Sequence, residues 1–337
     1  MAEADFTETN RAHWNKKAAS YSSSNEKTIS QLVAEIQSRK DWIGAQWVEE
    51  GDRSVDDGPA GSSGETREVR LLDYACGPGM VSRVCFPLSP SYPAREVSSP
   101  RRTLHVDDDD DLEHSSYKSP QVVRALTCEL QALAPYITQS IGIDLSENMV
   151  EQYNTAANNQ GLSTSEMHAV VGNLLNASDP SPPHLAGSEY FNFDIAAVGL
   201  GFHHFEDPIL AARRLGERLK SGGTLMILDF VPHEHLDGGH DHGHGHGHGH
   251  GHDDSGDGHR NAKGEEVDET TLTKNEERET AATVRHHGFS EEDVRRCFEE
   301  ASVGRDFAYD VVEKQAIFKT ESRTMVRNVF LARGTKV

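Results

Sequence analysis

Between positions 69 and 230 short apolar runs alternate with stretches in which apolar residues recur every three or four positions. That texture predicts βαβ units and a largely parallel sheet. The predicted strands are 69–74, 139–144, 168–172, 193–200 and 224–230. Between them, SENMVEQYNTAANNQ opens with Ser146 as a helix cap, and DPILAARRLGERLKSGG opens at Asp207-Pro208 and stops at Gly222-Gly223. SEEDVRRCFEEA forms a further helix, capped by Ser290 and favoured by the acids 291–293 in its first turn. Two extended runs, FAYDVVEKQAIF and TMVRNVFLAR, flank the turn-like KTESR and predict a closing antiparallel hairpin. Upstream, TISQLVAEIQSRKDWIGAQWV has near-helical apolar spacing, and a loop separates it from the first strand. The chain thus divides into an N-terminal helical region with its loop, 1–68, and an α/β domain, 69–337.

Two segments interrupt this rhythm. One is 84–131, with the five-aspartate run 107–111; the other is 233–274, rich in His, Gly and Asp. Both hold too little apolar surface to offset the entropy of ordering, which predicts disorder. The first segment puts Gly79 and Asp144 65 positions apart; deleting it leaves 17, in keeping with short βα connections, and joins GMVSR to ALAPYITQSIGIDLS as one amphipathic helix. Its ends can be encoded with splice signals: GTATGT for Val84-Cys85, CTGAC within Leu126-Thr127, and CAG for Gln131. The segment therefore reads as a retained intron or as an acidic loop inside the first helix.

The candidate chemistry lies at the strand ends. VRLLDYACGPGMVSR runs a strand into Asp73 and a loop with Gly77 and Gly79, where the backbone can approach a ligand and the amides of a following helix can meet an anionic group. SIGIDLSENMV ends its strand in Asp144, a carboxylate suited to both hydroxyls of a ribose. VVGNLL offers the Asn173 amide, and FDIAAVGLGFHHFEDP ends in Gly199-Leu200-Gly201 followed by His203 and His204.

In this order the four pieces resemble the class I S-adenosylmethionine-dependent methyltransferase family of the small-molecule type. The resemblance implies a Rossmann-like α/β fold: a seven-stranded, mostly parallel sheet with an antiparallel C-terminal hairpin and helices on both faces. It implies S-adenosyl-L-methionine as cofactor, with Asp73, Ala75, Cys76, Gly77 and Gly79 at its methionine end. Asp144 and Leu145, with Met149 beside them, meet the ribose; Asn173 and Leu174 meet the adenine; Leu200 lies beside the reacting methyl. Trp14 and Tyr21 resemble the aromatic pair that closes over the cofactor. Ala75 departs from the family's first glycine, and its methyl group favours φ below zero there. His203, His204 and His287 are candidates to take a proton from the acceptor.

Lysine and arginine number 33 against 55 aspartates and glutamates, a net charge of −22 that disfavours nucleic acid and anionic membranes as partners. A small molecule remains as the expected acceptor. Cys76, Cys85, Cys128 and Cys297 lack metal-site or disulfide spacing. With no signal peptide or membrane-length apolar run at hand, the expected compartment is the cytoplasm or the nucleus. The alternating tract from His240 to His252 carries seven histidines on glycine spacers, which can bind metal adventitiously but cannot fix a catalytic geometry, so no metal site is expected. Two other readings stay open: an NAD-dependent oxidoreductase, although G-x-G-x-x-G is missing, and a non-catalytic nucleoside-binding or metal-binding protein.

Overall fold

The computed structural model describes residues 3–48, 67–82, 133–176, 178–179, 181–233, 278–319 and 324–337. The segment 84–131 lies outside them. So does the whole tract from His240 to His252, and with it the expectation that these histidines capture metal adventitiously. The helix predicted across 84–131 is not formed at its described flanks, where 79–82 are turns and Ala134–Tyr136 is a single 3-10 turn.

The described elements begin with helices α1 (Glu3–Ser24), α2 (Glu26–Ser38) and α3 (Lys40–Ile43). Strands β1 (Arg70–Tyr74) and β2 (Gln139–Asp144), helix α4 (Glu147–Asn159), and strands β3 (Met167–Val171) and β4 (Phe193–Gly199) follow. Helix α5 (Pro208–Arg218) leads to β5 (Leu219–Phe230), and α6 (Glu291–Glu300) precedes β6 (Arg305–Val311), β7 (Ala316–Lys319), β8 (Thr324–Arg327) and β9 (Val329–Thr335). Seven strands make one sheet in the order β3-β2-β1-β4-β5-β9-β6. The first five run parallel, and β9 inserts antiparallel between β5 and β6.

Alternation along the strands sends neighbouring side chains to opposite faces. Leu72, Ala196, Val198 and Ile227 join the core beneath α5 and α6, with Leu215, Val294 and Phe298. Leu71, Ile195, Ala197 and Leu228 join the opposite core with Ile29, Leu32, Val33 and Ile36 of α2. Each of those α2 side chains is buried, contributing roughly 1.5–3 kcal/mol. A third cluster seats Tyr153 of α4 against Cys76, Met167 and Ala169.

The predicted caps are present: Ser146 accepts from the Met149 amide, Asp207 from Leu210, and Ser290 forms a reciprocal box with Asp293. Three expectations are refined. The helix from Asp207 ends at Arg218 instead of Gly222, because β5 starts at Leu219 and pairs with Phe193 before the register shifts to Ile195 and Thr224. The closing hairpin is more elaborate than expected: β6 and β9 pair in the main sheet, while β7 and β8 form a separate two-stranded sheet at its tip. And the N-terminal helical region starts well before the apolar periodicity at position 28, with a helix of 22 residues over 3–24. Among the described residues no helix is long and apolar enough to cross a membrane.

The flanks of the first insertion meet. The Leu133 amide donates to the Val81 carbonyl at 3.4 Å.

Candidate functional site

Strand β1 lies between β2 and β4, so the chain leaves it toward opposite edges of the sheet. A crevice at the carboxyl ends of the strands is the physical result of such a switch. It is occupied here by a cavity of about 480 Å³, within the usual range for small-molecule sites.

The floor is the loop after β1. Ala75, Gly77 and Gly79 all have left-handed φ, at 53°, 50° and 90°. Ala75 therefore does not take the negative φ expected of it; it holds the conformation a glycine would take, at a cost of about 1–2 kcal/mol. The helix expected to follow this loop and present its amides is replaced by turns over 77–82, and three of the loop's own amides are engaged within the protein. Cys76 donates to the Ile143 carbonyl at 3.3 Å, Gly77 to Asp144 Oδ2 at 2.8 Å, and Gly79 to the Cys76 carbonyl at 2.9 Å. The loop is latched onto the end of β2 by the carboxylate itself.

Asp144 lines the cavity and also accepts from the Ser146 amide at 2.9 Å. Burial pushes its pKa up, against the pull of these backbone hydrogen bonds. Asp73 sits behind the loop, outside the lining, 1% exposed and accepting from Ser82 Oγ at 2.6 Å. Burial raises its pKa to about 7, with the nearby Asp144 charge adding to the rise. Asn173 lines the cavity with its carbonyl oxygen committed to the Leu175 amide at 2.8 Å, so its N–H₂ is the group it can offer. At the end of β4, Leu200 holds a φ of 59° while its amide donates to the Leu228 carbonyl at 2.8 Å.

Helix α1 forms the roof. Phe6, Asn10 and Trp14 recur at four-residue spacing and line the cavity, as does Tyr21, whose ring meets that of Trp14 edge-on at 5.9 Å. The trailing side of the helix is tied to α4: Asn15 Nδ2 donates to Glu147 at 2.8 Å, and Arg11 pairs with the same carboxylate at 2.9 Å. These two contacts, the Asn15 hydrogen bond foremost, hold the Glu147 pKa down to about 2.

The three candidate histidines separate. His204 lines the cavity, with Nδ1 at 2.7 Å from the Thr283 carbonyl and its ring edge-on to Trp14 at 5.1 Å. Burial, and then the neighbouring His203, lower its pKa well below the ordinary value. His203 stands outside the lining, buried, with Nδ1 at 2.8 Å from Asp229 and its amide donating to the same carboxylate. His287 is also outside the lining; its carbonyl accepts from the His233 amide at 3.0 Å. Among the described residues no three His, Cys, Asp or Glu side chains gather closely enough to hold a metal ion; the histidines from His240 to His252 are not among them.

Residues 125–227 match the family model described as a methyltransferase domain. Over that stretch, just under a third of its length, the chain is similar to methyltransferase domains. The matched stretch includes Asp144, Asn173, Leu200 and His204 but not the glycine loop, and it begins at Ala125, inside the segment 84–131. An uncharacterized methyltransferase of Schizosaccharomyces pombe is 29% identical over 103 residues, 30% of this chain and 34% of that protein. YcgJ of Bacillus subtilis, an uncharacterized methyltransferase, is 28% identical over 103 residues, 31% of this chain and 36% of its own. The chain thus spans about a third of the length of these relatives. The crystal structure of YcgJ superposes with a TM-score of 0.40 at 14% identity, covering 80% of this chain and 92% of that one.

The cavity gathers Ala75, Cys76, Gly77, Asp144, Leu145, Met149, Asn173, Leu200 and His204, with Trp14 and Tyr21 above them. It leaves out Asp73, Gly79, Leu174, His203 and His287. Gly79 is spatially constrained all the same: a Cβ there would approach Tyr153 to 3.0 Å. The sequence reading missed Phe6 and Asn10, whose signal was their four-residue spacing with Trp14. It also missed Asp229, a strand-end acid whose partner lies 26 positions away.

Proposed function

We propose that this protein transfers a methyl group from S-adenosyl-L-methionine to a small-molecule acceptor. The observation that carries the reading is the convergence of Gly77, Asp144, Asn173 and Leu200 on one cavity, at the switch point of a sheet whose seventh strand is antiparallel. The residues fit the nucleoside. Asp144 spends one lone pair of each oxygen on Gly77 and Ser146, leaving acceptors for two ribose hydroxyls. Ile143, Leu145 and Leu175 supply apolar walls for a purine, and the Asn173 N–H₂ is available to its edge. Leu200 and its flanking glycines leave room at the end of β4 for the reacting centre.

S-adenosylmethionine would supply an activated methyl group, displaced in line. The protein's share is then alignment, which in favourable cases lowers a barrier by roughly 7–11 kcal/mol, together with exclusion of water by α1. Because His204 Nδ1 carries its proton toward the Thr283 carbonyl, Nε2 is left with a lone pair that can receive the acceptor's proton.

Calorimetry with S-adenosylhomocysteine and with NAD tests the reading. The expected result is micromolar binding of the first, none of the second, and at least a 30-fold loss of affinity in Asp144→Ala. Tight NAD binding, or indifference to S-adenosylhomocysteine, overturns it.

A further inference from the structure

The roof helix contributes a polar atom that nothing among the described residues satisfies. Asn10 is 6% exposed, lines the cavity and donates through Nδ2 to the Phe6 carbonyl at 3.2 Å, while its Oδ1 is buried without a partner. Leaving a buried acceptor unmet costs about 1–3 kcal/mol, so its retention in a cavity wall points to a ligand that donates to it.

Its place on α1 says which ligand. Phe6 and Trp14, one turn to either side, lie against Arg285 and His204, at 3.9 Å from the guanidinium and 5.1 Å between rings. Arg11 and Asn15, a quarter-turn around the helix, reach Glu147 beside the ribose carboxylate instead. Asn10 therefore faces the His204 side of the cavity, away from Asp144. His204 presents the same chemistry, since its Nδ1 is spoken for by Thr283.

The charges around this half agree. Among the described residues lining the cavity the charged side chains are Asp144, Glu206 and Asp207, and none is Lys or Arg. Glu206 is paired with Arg285, and Asp207 caps α5. An anionic acceptor would meet lone pairs and carboxylates, with no Lys or Arg in the described lining to pair with it. A cationic one would meet the sulfonium.

We propose that Asn10 Oδ1 and His204 Nε2 form a two-point acceptor site that selects uncharged aromatic or apolar molecules bearing an O–H or N–H group, and rejects carboxylates and phosphates. This rests on the function proposed above. The group that donates to His204 is the one that is methylated: as its oxygen or nitrogen bonds to the incoming methyl and the carbon–sulfur bond breaks, its proton passes to Nε2 and the thioether leaves. Asn10 holds a second donor or shares the first. Trp14, one turn after Asn10 and edge-on to His204, supplies the edge against which the apolar body rests.

The test uses the full chain saturated with S-adenosylhomocysteine and six probes: tryptophol, phenethyl alcohol and 4-aminophenethyl alcohol, set against indole-3-acetate, phenylacetate and phenyl phosphate. Ligand-observed NMR should show the three neutral donors binding and the three anions at least tenfold weaker. Asn10→Leu and His204→Phe should each weaken the donors fivefold or more, while Asn10→Asp, which keeps an oxygen in place, restores their binding over Asn10→Leu. Asn10→Asp and His204→Phe carry the comparison if Asn10→Leu does not fold. Failure of the wild type to bind S-adenosylhomocysteine fells the underlying reading. Normal binding of it with no preference for donors over anions, with no probe bound at all, or with donor binding untouched by these substitutions overturns the two-point site alone. So does Asn10→Leu losing affinity for S-adenosylhomocysteine instead of the donors, which would give the oxygen to the cofactor.

Discussion

The methyl group of Ala75 occupies space that Gly201 leaves open: a Cβ built on Gly201 would come within 2.8 Å of the Ala75 Cβ. The two loops that floor the cavity are therefore matched in side-chain volume. Ala75 fills the position where a third glycine would stand, and Gly201 provides the clearance. Gly201 itself has an ordinary φ of −117°, so its need to be glycine is steric. Gly201→Ala should destabilise the fold by roughly 1–3 kcal/mol. Adding Ala75→Gly should recover most of that loss, while Ala75→Gly alone stays within about 1 kcal/mol, because relief of the left-handed strain offsets the entropy of a new glycine. Urea unfolding of the four proteins measures the coupling, and simple additivity would contradict the match.

Asp73 makes stability depend on pH with a definite sign. Its carboxyl titrates near 7 in the folded protein, against 3.8 for an aspartate in water. Raised pKa means that the folded state holds the proton more tightly, so this contribution is fully present below about pH 4 and is lost as pH rises through about 7. Relative to Asp73→Asn, the wild type should lose of order a few kcal/mol over that window. Denaturant midpoints of both proteins at several pH values check the slope, and parallel curves would refute it.

Asp229 is fully buried and accepts from the His203 amide, the His203 ring and the Phe230 amide. An asparagine has one oxygen for three donors and turns its N–H₂ toward another. Asp229→Asn should therefore cost about 2–4 kcal/mol and lower the melting temperature. A loss below about 1 kcal/mol would mean that the carboxylate is not the hub of this turn.

The hydrogen bond from Leu133 to Val81 spans the first insertion. With the 48 residues 84–131 removed, Leu133 would stand four positions after Val81, which is the spacing of an α-helical hydrogen bond. The deleted protein should fold, keep its affinity for S-adenosylhomocysteine within threefold, and gain roughly 1–3 kcal/mol from the shorter closure. Aggregation of the deletion variant, or loss of the nucleoside site, would show that the segment belongs to the domain.

The strands and caps were legible because each depends on residues close in sequence. The boundaries of β1 to β4 differ by a residue at most, and Ser146, Asp207 and Ser290 cap as their side chains dictate. What was not legible depended on distance. The left-handed Ala75 is set by the space at Gly201, 126 positions later in the chain. The loop amides are engaged because Asp144 reaches across from β2. A helical region was expected within 1–68, but the periodicity that predicts it begins at position 28; α1 ahead of it has a thin apolar face, with polar Asn10 standing between Phe6 and Trp14. Of three histidines, only the one beside Trp14 reaches the cavity.

Helix α1 lines the cavity with one continuous span, from Phe6 to Tyr21. Under the proposed chemistry, movement of this one helix would open the nucleoside half and the acceptor half together. The ties from Arg11 to Glu147 and from Lys16 to Glu279 are half-exposed ion pairs of the kind that dissolved salt weakens. Under the proposed chemistry, ionic strength governs the traffic of reactants and leaves the bond-making step untouched.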